Sequence, residues 1–157
     1  MSVTGPELLE AAKLLHRSAT SEVSYRNVCG RAYYAVYQDG KAFHDNLPCP
    51  GRLSPHSKGG LHADLIERLT NPGISRDSAD YRRSTVIGYL MKTLHANRVT
   101  ADYKREMNID KLMADNAIAH AQQVFEALNL APTTKPPASD QSEALKPGGR
   151  PTLTRIK

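Results

Sequence analysis

The stretch Ser24-Tyr25-Arg26-Asn27-Val28-Cys29-Gly30-Arg31-Ala32-Tyr33-Tyr34-Ala35-Val36-Tyr37 decides the fold. Tyr25, Cys29, Ala32, Val36, Gly40 and Phe43 recur at spacings of three and four, the repeat of one buried helical stripe. That spacing predicts a helix from near Ser21 to about Phe43. Its small residues at 29, 32 and 40 leave room for a second helix to come close. Arg26, Gly30, Tyr33 and Tyr37 form the neighbouring stripe.

The same periodicity recurs on both sides. Thr4 and Glu7 fit a capping box ahead of Leu8, Leu9, Ala12 and Leu15, predicting a first helix over about 5–18. Residues 45–57 carry three prolines and read as a loop, either mobile or functional. Leu61, Leu65, Ile66 and Leu69 mark a short third helix, ended by Asn71-Pro72-Gly73. Asp77 or Ser78 caps a fourth, with Ile87, Leu90, Met91 and Leu94 inward. A fifth begins near Asp110 and is expected to bury Met113, Ala117, Ala121, Val124 and Leu128. No segment alternates apolar and polar residues, so strands are not expected. The fold class that follows is all-α, an antiparallel bundle of four to five helices over residues 1–130. Residues 131–157, rich in proline and base, are expected to form a disordered tail, too poor in apolar surface to offset the entropy of ordering.

Composition narrows the function classes. Of the 157 residues, 39% are hydrophobic, and no apolar run approaches the roughly 20 residues of a membrane span. The opening residues lack the basic start and apolar centre of a signal peptide, so the reading is cytoplasmic. Cys29 and Cys49 make neither a disulfide framework nor a zinc set. His44, His56, His62, His95 and His120 show no zinc-ligand spacing, so no metal and no cofactor is expected. The glycines and Ser57-Lys58 of residues 51–60 lack the phosphate-loop pattern. The net charge is +5, of which residues 131–157 hold +3, a balance that permits nucleic-acid binding without demanding it.

A second stretch, His95-Ala96-Asn97-Arg98-Val99-Thr100-Ala101-Asp102-Tyr103, carries the candidate chemistry. Arg98 offers a rigid fork of donors matched to phosphate oxygens and stays charged at any working pH. His95 lies one turn before it, on the same face, and its ordinary pKa suits proton transfer near neutrality. Tyr103 could position a phosphate or a 2′-hydroxyl. The plainer reading pairs Arg98 with Asp102 across one turn as a salt bridge. Arg26, Arg31, Tyr33, Tyr34 and Tyr37 could form a basic, aromatic surface for RNA. Against that stands packing of the tyrosines, with the arginines paired to carboxylates such as Asp80 or Asp102.

On three ordered motifs the chain resembles the HEPN domain family. They are Gly30-Arg31-Ala32-Tyr33-Tyr34-Ala35-Val36-Tyr37, then His56-Ser57 before the third helix, then Arg98 ahead of Ala101-Asp102-Tyr103. The resemblance covers about residues 5–130. It implies a helical bundle that forms a homodimer and brings two arginine motifs together in a cleft. It further implies one of two functions. The first is a metal-independent endoribonuclease, acting as a toxin or phage-defence effector, with Arg98 on the scissile phosphate; Tyr103, His95 and Asp102, read above from their spacing, complete the candidate catalytic set. The second is a non-catalytic module that binds RNA, a nucleotide or a partner protein, such as a nucleotidyltransferase antitoxin or a larger defence protein. The family's active members have a histidine after the arginine. Here Tyr103, Lys104 and Arg105 stand at those positions, so general acid and base help comes from elsewhere or is absent.

Overall fold

The computed structural model describes residues 2–57 and 59–129, so the expected tail and the second half of the Ser57-Lys58 pair lie outside the described residues. Five helices account for the fold, α1 (Gly5–Ser18), α2 (Glu22–Asp45), α3 (Leu61–Thr70), α4 (Ala79–Tyr103) and α5 (Lys111–Asn129). There is no strand among the described residues.

The starts of α1, α2 and α4 follow from side-chain caps. Glu7 N–H donates to Thr4 Oγ1 at 3.4 Å, and Glu7 Oε2 accepts from the Thr4 amide at 2.8 Å, completing the capping box of α1. Ser21 caps α2 by accepting from Ser24 N–H, and Ser78, not Asp77, caps α4 by accepting from Asp80 N–H.

Helix α2 is the central element and packs against α1, α4 and α5, while α3 lies mainly on α4. The pairs α1–α2, α2–α4, α3–α4 and α4–α5 run antiparallel, while α2 and α5 lie parallel, late residues of both meeting Gly5. Gly5 at the start of α1 lies against Ala35 and Asp39 late in α2. Arg26 early in α2 reaches the last turn of α4, and Arg83 early in α4 donates to the carbonyls of Ala127 and Leu128 at the end of α5. Close approach is set by glycine. A Cβ on Gly40 would sit 2.6 Å from Met91 Sδ, and one on Gly88 would sit 2.8 Å from the Thr70 amide nitrogen.

The core contains Cys29, Ala32, Tyr33, Val36, Leu69, Ile87, Met91, Leu94 and Val124, all essentially without solvent contact. Tyr25 and Phe43, expected in the α2 stripe, are only partly buried, as is Leu90 on α4. On α5 the buried line is Ala114, Ala117, Ala121, Val124 and Ala127, with Met113 and Leu128 at its margin. Alanines on the contact line let α5 lie close to α2, and the longer side chains then lap around the edge.

The proline-rich connection is held in place by specific hydrogen bonds. Gly51 N–H donates to His44 Nε2 at 3.0 Å, and Arg68 Nη1 donates to Gly51 O at 2.8 Å. Arg52 N–H donates to Asn71 O at 2.8 Å, and Ser54 N–H to Glu67 Oε1 at 2.6 Å. These bonds tie residues 51–54 onto α3.

Candidate functional site

Where α2, α3 and α4 meet, the sequence places histidine, tyrosine and arginine side chains in mutual contact. Tyr33 points into the core from α2, because it shares a stripe with buried Gly30 and lies beside Ala32 and Val36. Its hydroxyl shares a 2.7 Å hydrogen bond with Nδ1 of His62, on the first turn of α3. Burial, helped by neighbouring Tyr37, pushes the Tyr33 pKa far up, so the hydroxyl keeps its proton. A hydroxyl both donates and accepts, so it can hold His62 in its neutral or its protonated form.

His62 in turn stacks on His95 of α4, ring centres 5.8 Å apart and planes 14° from parallel. Tyr33 contacts the His95 ring at 5.2 Å, and Tyr37 contacts His62 at 4.3 Å. His62 Nε2 and both His95 nitrogens have no protein partner among the described residues, and none of the three is sealed from solvent.

Arg98, one turn beyond His95, sits between two tyrosines. Its guanidinium carbon lies 5.2 Å from the ring centres of Tyr34 and Tyr103 alike, and Nη2 donates to Tyr34 Oη at 2.6 Å and to Tyr103 Oη at 3.3 Å. Nε lies 2.9 Å from Asp102 Oδ2, the one-turn ion pair that the spacing suggested, though its N–H is not aligned as a hydrogen bond. Burial works against the charge, but Tyr34, Tyr103 and Asp102 outweigh it, and the Arg98 pKa stands above its ordinary value.

Both imidazoles feel this charge. The His62 pKa is lowered, first by burial and then by Arg98; that of His95 is lowered by burial, by His62 and by Arg98. The result is a pair of imidazoles biased toward the neutral form beside a permanent cation.

The remaining expected residues have other places. Arg26 is committed to the C-terminal end of α4. Its Nη1 donates to Ala101 O at 2.8 Å and to the carbonyls of Thr100 and Lys104 at 3.3 Å, and Nη2 donates to Met107 O. Nε and Nη2 also engage Glu22. Since α4 has no basic residue in its own last turn, Arg26 supplies the cation its exposed carbonyls call for. Tyr33 is fully buried and offers no ring face to a base. Arg31 is exposed, and among the described residues it makes no ion pair with Asp102. Asp80 pairs instead with Arg83, at 3.0 Å.

Sequence spacing brought Arg98, His95, Asp102 and Tyr103 onto one helix end, and the fold keeps them together with Tyr34. It also adds His62, which no local pattern marked. Its only sequence signal is a histidine on the first turn of a helix after Gly59-Gly60. Among the described residues, no group of three or more His, Cys, Asp and Glu is arranged to hold a metal ion, and no helix is long and apolar enough to cross a membrane.

No protein-family model, curated protein or solved structure matches this chain. The likeness to HEPN domains therefore rests on the three motifs quoted above.

Proposed function

We propose that the protein acts on RNA at the His62–His95–Arg98 cluster, as a metal-independent endoribonuclease of HEPN type. The observation that carries this reading is the stacking of His62 on His95 next to Arg98. It supplies two titratable imidazoles at a phosphate-binding cation, where the motif following Arg98 supplies none.

The chemistry needs three things, and this set of side chains can meet each. Arg98 binds the phosphodiester and stabilises the charge that builds on its oxygens. Neutral His95 takes the proton from the ribose 2′-hydroxyl as that oxygen bonds to phosphorus. Protonated His62, held at Nδ1 by the Tyr33 oxygen, gives a proton from Nε2 to the 5′-oxygen as its bond to phosphorus breaks. The products are a 2′,3′-cyclic phosphate and a free 5′-hydroxyl.

A second reading has its own support. Arg98 is already engaged by Tyr34, Tyr103 and Asp102, as suits a fixed phosphate anchor in a non-catalytic module. Such a module would bind RNA, a nucleotide or a partner protein, as a homodimer or in a toxin–antitoxin or defence complex.

The two separate on one experiment, incubation of RNA with the full chain in EDTA and analysis of the ends. Fragments with 2′,3′-cyclic phosphate support the first reading. RNA bound but intact supports the second.

A further inference from the structure

Two grooves on the outer side of α3 share a wall. The first, about 610 Å³, runs between α3 and α4 and is lined by His95, Lys92 and Tyr89. The second, about 360 Å³, is lined by Arg52, Ser54, Arg76 and Tyr81, from the proline-rich loop, the α3–α4 connection and the start of α4. Glu67 and Asn71 of α3 border both, so the two are adjoining parts of one trough that begins at His95.

Its chemistry is uneven in an informative way. Lys92, Arg52 and Arg76 are exposed, and among the described residues their side chains have no carboxylate or carbonyl partner. Tyr89 is 61% exposed, a flat ring with no packing to account for it. The acidic residue in the wall, Glu67, is occupied by the Ser54 N–H at 2.6 Å, and that bond is the first cause of its lowered pKa. The loop that carries Arg52 is pinned to α3 through Asn71, Glu67 and Arg68, so the backbone that presents Arg52 is fixed before any ligand arrives. Free cations spaced along a trough with an exposed aromatic between them match the demands of single-stranded nucleic acid, whose phosphates alternate with stackable bases.

We infer that the trough from His95 past Tyr89 and Lys92 to Arg52 and Arg76 is a track for one flank of a single-stranded RNA. A phosphate is held at Arg52 and Arg76, and a base is stacked on Tyr89. This rests on the proposed reading of the His62–His95–Arg98 cluster and extends it, since it makes the substrate a single strand several nucleotides long rather than a duplex or a dinucleotide.

The test uses the full chain and uncleavable 2′-O-methyl oligouridylates, one a dinucleotide and one of about ten nucleotides, a common span for a single-strand site. Arg52→Ala/Arg76→Ala should weaken the longer strand about tenfold at low salt and make its salt dependence shallower by about 0.7, for the one phosphate charge no longer neutralised. It should leave the dinucleotide unchanged. Tyr89→Ala should cost the longer strand about fivefold or more, the lower end of base stacking on an aromatic. Unchanged affinity and slope for the longer strand in the double variant would overturn the track, as would equally tight binding of a duplex. Arg98→Ala separates the two ideas. If it weakens neither ligand while the double variant weakens the longer one, the track stands and the cluster is not the RNA site.

Discussion

The His62 and His95 rings lie nearly parallel, planes 14° apart and centres 5.8 Å apart, although one opens α3 and the other lies deep in α4. Stacked imidazoles under the influence of a nearby guanidinium resist a second positive charge. This single relationship sets the pH behaviour of the site.

The first consequence concerns stability. Both histidines have pKa values below the ordinary 6.5 in the folded chain. Above that value both folded and unfolded chains hold them neutral, and they contribute nothing. As pH falls below about 6.5 the unfolded chain takes up protons first, so the folded state loses stability. The thermal midpoint should therefore drop between pH 7 and 5, and His95→Gln should flatten that slope. A wild-type slope identical to that of the variant would contradict the placement of His95.

A phosphate at Arg98 reverses the effect. Its negative charge offsets the guanidinium, so both imidazole pKa values should rise when inorganic phosphate or a dinucleotide binds. Following the histidine ring protons by NMR across a pH titration checks this. Curves that do not move with ligand would place the anion elsewhere.

Arg26→Ala should destabilise without touching the chemistry. Removing the guanidinium takes a donor from the Ala101 and Met107 carbonyls, while those of Thr100 and Lys104 keep the N–H groups of Lys104 and Met107, at a cost of roughly 1–2 kcal/mol. A urea midpoint shift of that size, with RNA affinity per folded molecule unchanged, is the expected outcome. Glu22 loses its partner in the same variant, but that exposed pair adds little.

Gly88→Ala probes the seat of α3 on α4. The added methyl would lie 2.7 Å from Thr70 Cγ2 and 3.0 Å from the Leu69 carbonyl carbon, so α3 must shift outward at about 1–3 kcal/mol. Since α3 carries His62, the variant should also lose activity beyond what stability explains. Comparing activity per folded molecule at low temperature checks it.

The helices were readable in the sequence because their signals are local. Thr4 with Glu7, Ser21 and Ser78 mark starts by their capping chemistry, and Cys29, Ala32 and Val36 mark a buried face by spacing. Only local geometry was needed for Arg98 to meet Asp102 and Tyr103. What could not be read was every contact that joins separate helices. The sequence around Arg26 suits a nucleic-acid contact, because nothing in its own neighbourhood shows that the carbonyls at the end of α4 lie across from it. Tyr33 and Tyr34 are adjacent, yet one is buried on His62 and the other lies over Arg98. Adjacent helical positions point about 100° apart, and the neighbouring helix decides which is covered. His62 had no sequence partner at all; the fold of α3 onto α4 makes it part of the site. The proline-rich loop reads as mobile or functional, and its hydrogen bonds fix residues 51–54 against the C-terminal end of α3.

The most direct test of the cluster is the rate at which the full chain cleaves a single-stranded RNA in EDTA, for wild type, Arg98→Ala, His95→Gln and His62→Gln. The account predicts cleavage by wild type and a loss of about 100-fold or more in each folded variant, the usual scale for a general acid, a general base or a charge stabiliser. Equal cleavage by Arg98→Ala and wild type, or none by wild type at high enzyme concentration, would contradict it.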